Sequence, residues 1–211
     1  KKKGAGEDEP SVPNKDSVVG QKIPHDQQQA PEEPAEDQPT KGPLTIGFGR
    51  FNPPTTGHEK LIDALARESK KVSGSKMYVF ASHSQDPKKN PLPYPKKIAY
   101  MKKMFPKYKS NITTAKQRNV FEVATFLHDK GHRAVVMVVG SDRVDEFDRL
   151  LNQYNGVKGR HGYYGFDNIE VVSAGERDPD AEGVEGMSAS KMRAAAAEGE
   201  FDQFKQGLPS G

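Results

Sequence analysis

The chain has 211 residues and a formal net charge of +3, with 29% charged and 33% hydrophobic side chains and neither Cys nor Trp. The missing thiols exclude a disulfide scaffold, an iron–sulfur cluster, a thiolate zinc site and a Cys nucleophile. No apolar run approaches the roughly 18 residues of a membrane helix, and no apolar core of a secretion signal follows residues 1–4, so a soluble, cytoplasmic protein is expected.

Residues 1–42 hold no Leu, Phe or Tyr but six of the 16 prolines, with six Lys against nine acidic residues. Such a segment cannot bury enough apolar surface to offset its ordering entropy, and it reads as a disordered tail or linker. Residues 43–211 are long enough for one folded domain. This domain is left with a mildly basic balance, which suits phosphate-bearing ligands but is no argument for nucleic acid.

Within the domain, residues 44–48 (LTIGF) predict a first strand, and residues 58–71 a helix with Leu61, Ile62 and Leu65 on one face. Residues 77–80 predict a second strand, followed by a polar, proline-punctuated loop. Pro95 is placed to open a helix through Ile98, Met101 and Met104. Residues 120–130 predict a further helix closed by Gly131. Residues 134–139 (AVVMVV) form the strongest strand signal, a continuous apolar run of the kind buried in a parallel sheet. A helix over 142–154, a strand over 169–172 and an alanine-rich helix over 188–197 complete the pattern. Alternating strands and helices predict an α/β fold, a doubly wound and mostly parallel Rossmann-like sheet of about five strands. In such sheets ligands bind beyond the carboxyl ends of the strands, which directs attention to the loops that follow them.

The loop after the first strand is Gly49-Arg50-Phe51-Asn52-Pro53-Pro54-Thr55-Thr56-Gly57-His58. Prolines fix this turn and glycines allow a ligand to approach the backbone. The helix start beyond it offers amide donors and a positive dipole end, where Thr55 and His58 could donate together to phosphate oxygens. The same residues also read as a plain helix start with a Thr cap. Near the other end, Gly186-Met187-Ser188-Ala189-Ser190-Lys191-Met192-Arg193 presents a second helix N-terminus with hydroxyls and cations. Ser188 can cap it, while Ser190, Lys191 and Arg193 can reach phosphate oxygens. The third strand ends in Gly140-Ser141-Asp142, which also reads as a helix cap. Weaker candidates are Lys88, in the loop after the second strand, and Arg177, after the last strand.

The stretch from Gly49 to His58 resembles the (H/T)xGH signature of the nucleotidyltransferase superfamily. That superfamily includes cytidylyltransferases, pantetheine-phosphate adenylyltransferases and nicotinamide-mononucleotide adenylyltransferases. The wording Gly-Arg-Phe-x-Pro is similar to the nicotinamide-mononucleotide branch, with Thr55 where other members carry a first His. The segment from Gly186 to Arg193 looks like the second, Ser-rich signature. Longer stretches, including residues 82–92 and 176–197, are similar to nucleotidyltransferase-like proteins of tailed bacteriophages.

The resemblance implies transfer of a nucleoside monophosphate from a triphosphate, bound with Mg²⁺, onto a small phosphorylated acceptor, with release of pyrophosphate. It favours ATP over CTP. It implies that His58, Thr55, Lys191 and Arg193 carry the chemistry. Gly49, Arg50, Phe51, Asn52, Gly57, Gly140, Asp142, Ser188 and Ser190 would bind the nucleotide, while Lys88 and Arg177 would serve the acceptor side. Neither a nucleic acid nor a membrane is expected as partner. A homo-oligomer, contacts with phage-particle proteins and a place in the virion are left open.

Competing readings have less support. No G-x-x-x-x-G-K-[ST] loop and no G-x-G-x-x-G turn is present. The six histidines (25, 58, 83, 128, 132 and 161) are scattered rather than clustered for a protein-held metal. The rival of a different class is a non-catalytic nucleotide-binding or structural protein on the same fold, motivated by the Pro/Glu/Gln-rich tail.

Overall fold

A computed structural model describes residues 41–175 and 187–209. All of them belong to the compact unit Asp37–Gly211. Residues 176–186, which include Arg177, and the tail up to residue 40 lie outside the described residues.

Four strands, β1 (Leu44–Gly49), β2 (Lys76–Ala81), β3 (Ala134–Val139) and β4 (Asn168–Ser173), form one sheet in the order β2-β1-β3-β4. Every neighbouring pair is parallel. Beyond β2, only a bridge between Val79 and Ile112 stands where a further edge strand would run. Pairing begins before Pro43, since Lys41 bridges His132.

Helices α1 (Thr56–Lys71) and α2 (Tyr94–Met104) cover one face of the sheet, and α3 (Val120–Asp129) and α4 (Val144–Gln153) the other. Alternation along the strands supplies both cores. Val79, Ala81 and Val138 pack with Ile62, Leu65, Ile98 and Met101. Leu44, Ile46, Phe80, Val135, Met137 and Val139 pack with Val120, Val123, Leu127 and Leu151. At Gly47 a Cβ would lie 3.3 Å from Leu65 Cδ2, so the missing side chain lets α1 lie close on β1. Two helices near the C-terminus, α5 (Ala189–Glu198) and α6 (Phe201–Gln206), complete the described fold.

The sequence reading needs adjustment at several boundaries. Pro95 is the second residue of α2, behind Tyr94, and Pro93 occupies the cap. The helix expected from residue 142 starts as a 3₁₀ turn, Ser141–Arg143, with no side-chain cap, and α4 proper begins at Val144. Helix α6 has no counterpart in the sequence reading. It is short and exposed, so it lacks the buried stripe that periodicity detects. No helix among the described residues is long and apolar enough to cross a membrane.

The sheet order places the chain reversal at β1. After β2 on one side, the chain returns to add β3 and β4 on the other. Doubly wound sheets open a crevice at such a switch point, beyond the carboxyl ends of the strands. Gly47 pairs with Val138, which sets Gly49 level with Gly140 at that crevice.

Candidate functional site

The turn leaving β1 is built on Phe51, which is fully buried yet has φ of 48°. Left-handed backbone at a bulky residue costs about 1–3 kcal/mol and persists only where the surroundings hold it. Here its ring lies 4.6 Å, centroid to centroid, from the ring of His58. A Cβ on Gly49 would come within 2.9 Å of the same Phe51 ring, so glycine is what lets the turn fold over itself. The Asn52–Pro53 peptide is cis.

Thr55 caps α1 and locks His58 in place. Its hydroxyl accepts from the His58 amide at 3.3 Å, and its own amide donates to His58 Nδ1 at 3.1 Å. The hydroxyl and Nδ1 also lie 2.8 Å apart. An amide can only donate, so Nδ1 is an acceptor and the ring proton of the neutral imidazole belongs on Nε2. Thr55 is buried and its hydroxyl is spent on His58, which makes it a holder of the imidazole rather than a second outward donor. The first turn of α1 is less open than the sequence suggests, because the Thr56 amide donates to Gly207 O at 3.1 Å. The Gly57 amide has no hydrogen bond among the described residues.

The C-terminal motif folds onto this turn. Ser188 caps α5 by accepting from the Lys191 amide at 3.2 Å. Arg193 donates to Asn52 O at 2.7 Å and to Ser190 Oγ at 3.0 Å, joining segments 141 residues apart. Partial burial and then the nearby Arg50 cation lower the Arg193 pKa, while Asp86 opposes them. Arg50, Arg193 and Asp86 therefore share one electrostatic neighbourhood. Two of the five guanidinium N–H donors hold the protein together, and the other three have no hydrogen bond among the described residues.

The loop over residues 82–93 forms a third wall. The Ser82 amide donates to Gly49 O at 2.8 Å. The Asn52 side chain accepts from the Leu92 amide at 3.0 Å. Between these anchors Asp86 organises the loop: its carboxylate accepts from the amides of Lys88 (3.1 Å) and Lys89 (2.6 Å) and from Asn90 Nδ2 (2.6 Å). Those donors, with Lys89 and Asn90 foremost, hold its pKa below the ordinary carboxylate value. Lys88 is exposed on this loop. The ring of His83 stacks on Tyr94 at 3.6 Å, and both side chains reach Ala115 O.

The geometry thus gathers Gly49, Arg50, Phe51, Asn52, Thr55, His58, Ser190 and Arg193, with Ser188 and Lys191 on the first turn of the same helix as Arg193. Gly140 and Asp142 border the neighbouring strand end, where Asp142 Oδ1 lies 2.7 Å from where a Gly140 Cβ would be. Arg177 is not among the described residues. The sequence reading missed Asp86, whose Asx turn was visible as Asp-Pro-Lys-Lys-Asn, and Lys97, a cation on the apolar face of α2 at helical spacing from Met101. A cavity of about 690 Å³ lies elsewhere, beside Pro43 and Lys76 at the amino ends of β1 and β2 and bordered by Tyr78, Phe126 and Lys130. It holds none of the motif residues.

Among known proteins, the cytidylyltransferase-like family model matches residues 46–195. A solved structure, a bifunctional NMN adenylyltransferase/ADP ribose pyrophosphatase from Francisella tularensis, is similar at 12% identity and a TM-score of 0.46. The similarity covers 75% of this chain and 43% of that one, so the chain spans less than half the length of that protein. No curated protein gives a match. The matched region runs from β1 to the end of the Arg193 turn, and by it the chain belongs to the cytidylyltransferase-like family.

Proposed function

We propose that the protein transfers a nucleoside monophosphate from a triphosphate, AMP in preference to CMP, onto a small phosphorylated acceptor such as a mononucleotide. Pyrophosphate leaves. The observation that carries this reading is the convergence of His58, fixed by Thr55, with Arg193, fixed on Asn52 O, at the carboxyl end of β1.

An acceptor oxygen attacks the α-phosphorus in line as the bond to the pyrophosphate oxygen breaks. The chain needs no covalent nucleophile, because positioning and stabilisation of charge can supply most of the barrier reduction. His58 donates its Nε2 proton as a hydrogen bond to the oxygens around the α-phosphorus. Arg193, with Lys191 and Arg50, offsets the charge that gathers on the leaving pyrophosphate. The Gly57 amide and the dipole of α1 add to the same field. Gly140 and Asp142 bound the nucleoside side of the crevice, and Lys88 the acceptor side. Among the described residues there is no group of three or more His, Asp or Glu at metal spacing. Mg²⁺ therefore enters this reading as part of the nucleotide substrate, and no step of the chain's own chemistry runs through it.

The test is pyrophosphate release with ATP or CTP against a panel of phosphorylated acceptors, beside His58→Ala. Removing one such donor lowers turnover by about 10²–10³. Acceptor-dependent release that His58→Ala abolishes supports the reading. Full activity in that variant sinks it, and nucleotide binding without release in the wild type turns the assignment to a non-catalytic binding protein.

A further inference from the structure

Lys97 is fully buried in α2, on the face that also carries Ile98 and Met101. Its Nζ donates to the carbonyl of Ser82 at 2.7 Å, and no ion pair among the described residues includes it. Burial alone pushes its pKa down to about 8. An ammonium in an apolar interior without a carboxylate is unfavourable, and an apolar chain of the same length would fill this space without that penalty. The bond it makes is specific. Ser82 is the first residue after β2, its amide is already tied to Gly49 O, and its carbonyl points the loop that follows. Beyond Ser82 come the stacked pair His83 and Tyr94, the Asp86 turn and Lys88.

We propose that Lys97 is a positioning residue for the acceptor side of the site, clamping the Ser82 carbonyl from the interior and so fixing the loop over residues 82–93 against the turn that carries His58. The acceptor role of that loop rests on the transferase reading above; the clamp itself does not. Without the ammonium the carbonyl loses its buried donor, and the loop keeps the backbone ties of Ser82 to Gly49 and of His83 to Arg118, with its outer anchors at Ala115 and Asn52.

The decisive variant is Lys97→Met, which keeps the length of the chain and removes the charge. Because the protein has no native Cys, Lys97→Cys can also be aminoethylated when unfolded and refolded, which rebuilds an ammonium at this position alone. Amide exchange without ligand is the first readout. In Lys97→Met, exchange over residues 82–89 should quicken on the order of tenfold, as loss of one charge-assisted bond implies. Amides of β1, β3 and α1 should hold their protection, and the aminoethylated protein should regain the slow loop. The second readout is kinetic: the acceptor KM rises on the order of tenfold while nucleotide affinity stays within about twofold, and aminoethylation reverses the change. Unchanged loop exchange in Lys97→Met overturns the proposal. Loss of protection throughout the sheet overturns it as well, since the role would then be general stability. Absence of turnover in the wild type defeats the transferase reading, and the exchange data still decide the clamp.

Discussion

The imidazole of His58 meets Thr55 at both the amide and the hydroxyl, an arrangement in which the third residue of a helix reaches back to its own cap. Capping boxes usually place Glu or Gln there. A histidine does the same work for the backbone while turning its second nitrogen away from the cap. Thr55→Ala should therefore lose two things. The cap is worth about 1 kcal/mol of stability. The imidazole also loses its hydroxyl contact on Nδ1 and is held by the backbone amide alone, so turnover should fall although His58 is intact. Thermal unfolding and pyrophosphate release measured together check this, and Thr55→Ser should keep both properties. Equal stability loss with undiminished turnover would show that the cap does not orient the ring. At this scale the sequence was informative about identity but not about direction. Thr55 and His58 stand out as a pair, yet the spending of the hydroxyl on Nδ1 depends on rotamers that spacing does not specify.

Between elements, the site depends on two ties. Arg193 spans from α5 to the turn after β1 with a fork of donors, and a lysine offers a point charge without that fork. Hydrogen bonds to a charged group are worth about 1.5–3 kcal/mol. Arg193→Lys should thus lower kcat/KM on the order of tenfold to a hundredfold, as steady-state kinetics would reveal. The second tie is the Asp86 turn. Its carboxylate pKa is depressed, so its contribution to loop order is present above the ordinary value of 3.8 and is lost as pH falls through the lowered one. Amide chemical shifts of Lys88 and Lys89 should stay constant at neutral pH and move only below about pH 4. A transition centred above pH 5 would contradict the turn. Strands and helices themselves were legible because continuous apolar runs reflect burial on both faces of a strand and 3.6-residue stripes burial on one face of a helix. Element starts were less so. At Ser141–Arg143 the chain takes a 3₁₀ turn without a side-chain cap, despite two good capping residues.

At the scale of the whole molecule, sheet order marks the crevice at which doubly wound folds bind their ligands. The reversal between β2 and β3 opens the crevice at β1, and both signature segments reach it from opposite ends of the domain. A nucleotide bound there would bridge the β1 turn and α5 and stabilise the native state by mass action. At a hundredfold excess over Kd the gain is about 2.7 kcal/mol. For a domain of this size that corresponds to a rise in Tm of about 5–10 °C. Thermal scans with and without Mg²⁺ and ATP would measure it. A shift lost in Arg193→Lys but kept in His58→Ala would separate binding from chemistry. The strand–helix alternation pointed to this architecture, with about five strands expected and four in the sheet among the described residues. The segment at Ile112 contributes one bridge, and its neighbours Thr113 and Thr114 carry no apolar alternation to mark an edge strand.

The bond from Arg193 to Asn52 O also has a meaning in time. Ribosomes build from the N-terminus, so the sheet, its four main helices and the His58 turn are all made before the residue that completes the pocket. The Gly207 carbonyl that receives the Thr56 amide arrives later still. A nascent or prematurely terminated chain ending before α5 would carry the four strands and the His58 turn but neither Lys191 nor Arg193. Any activity that needs both segments then waits until α5 is made, with α5 and α6 acting as an interlock on shorter copies.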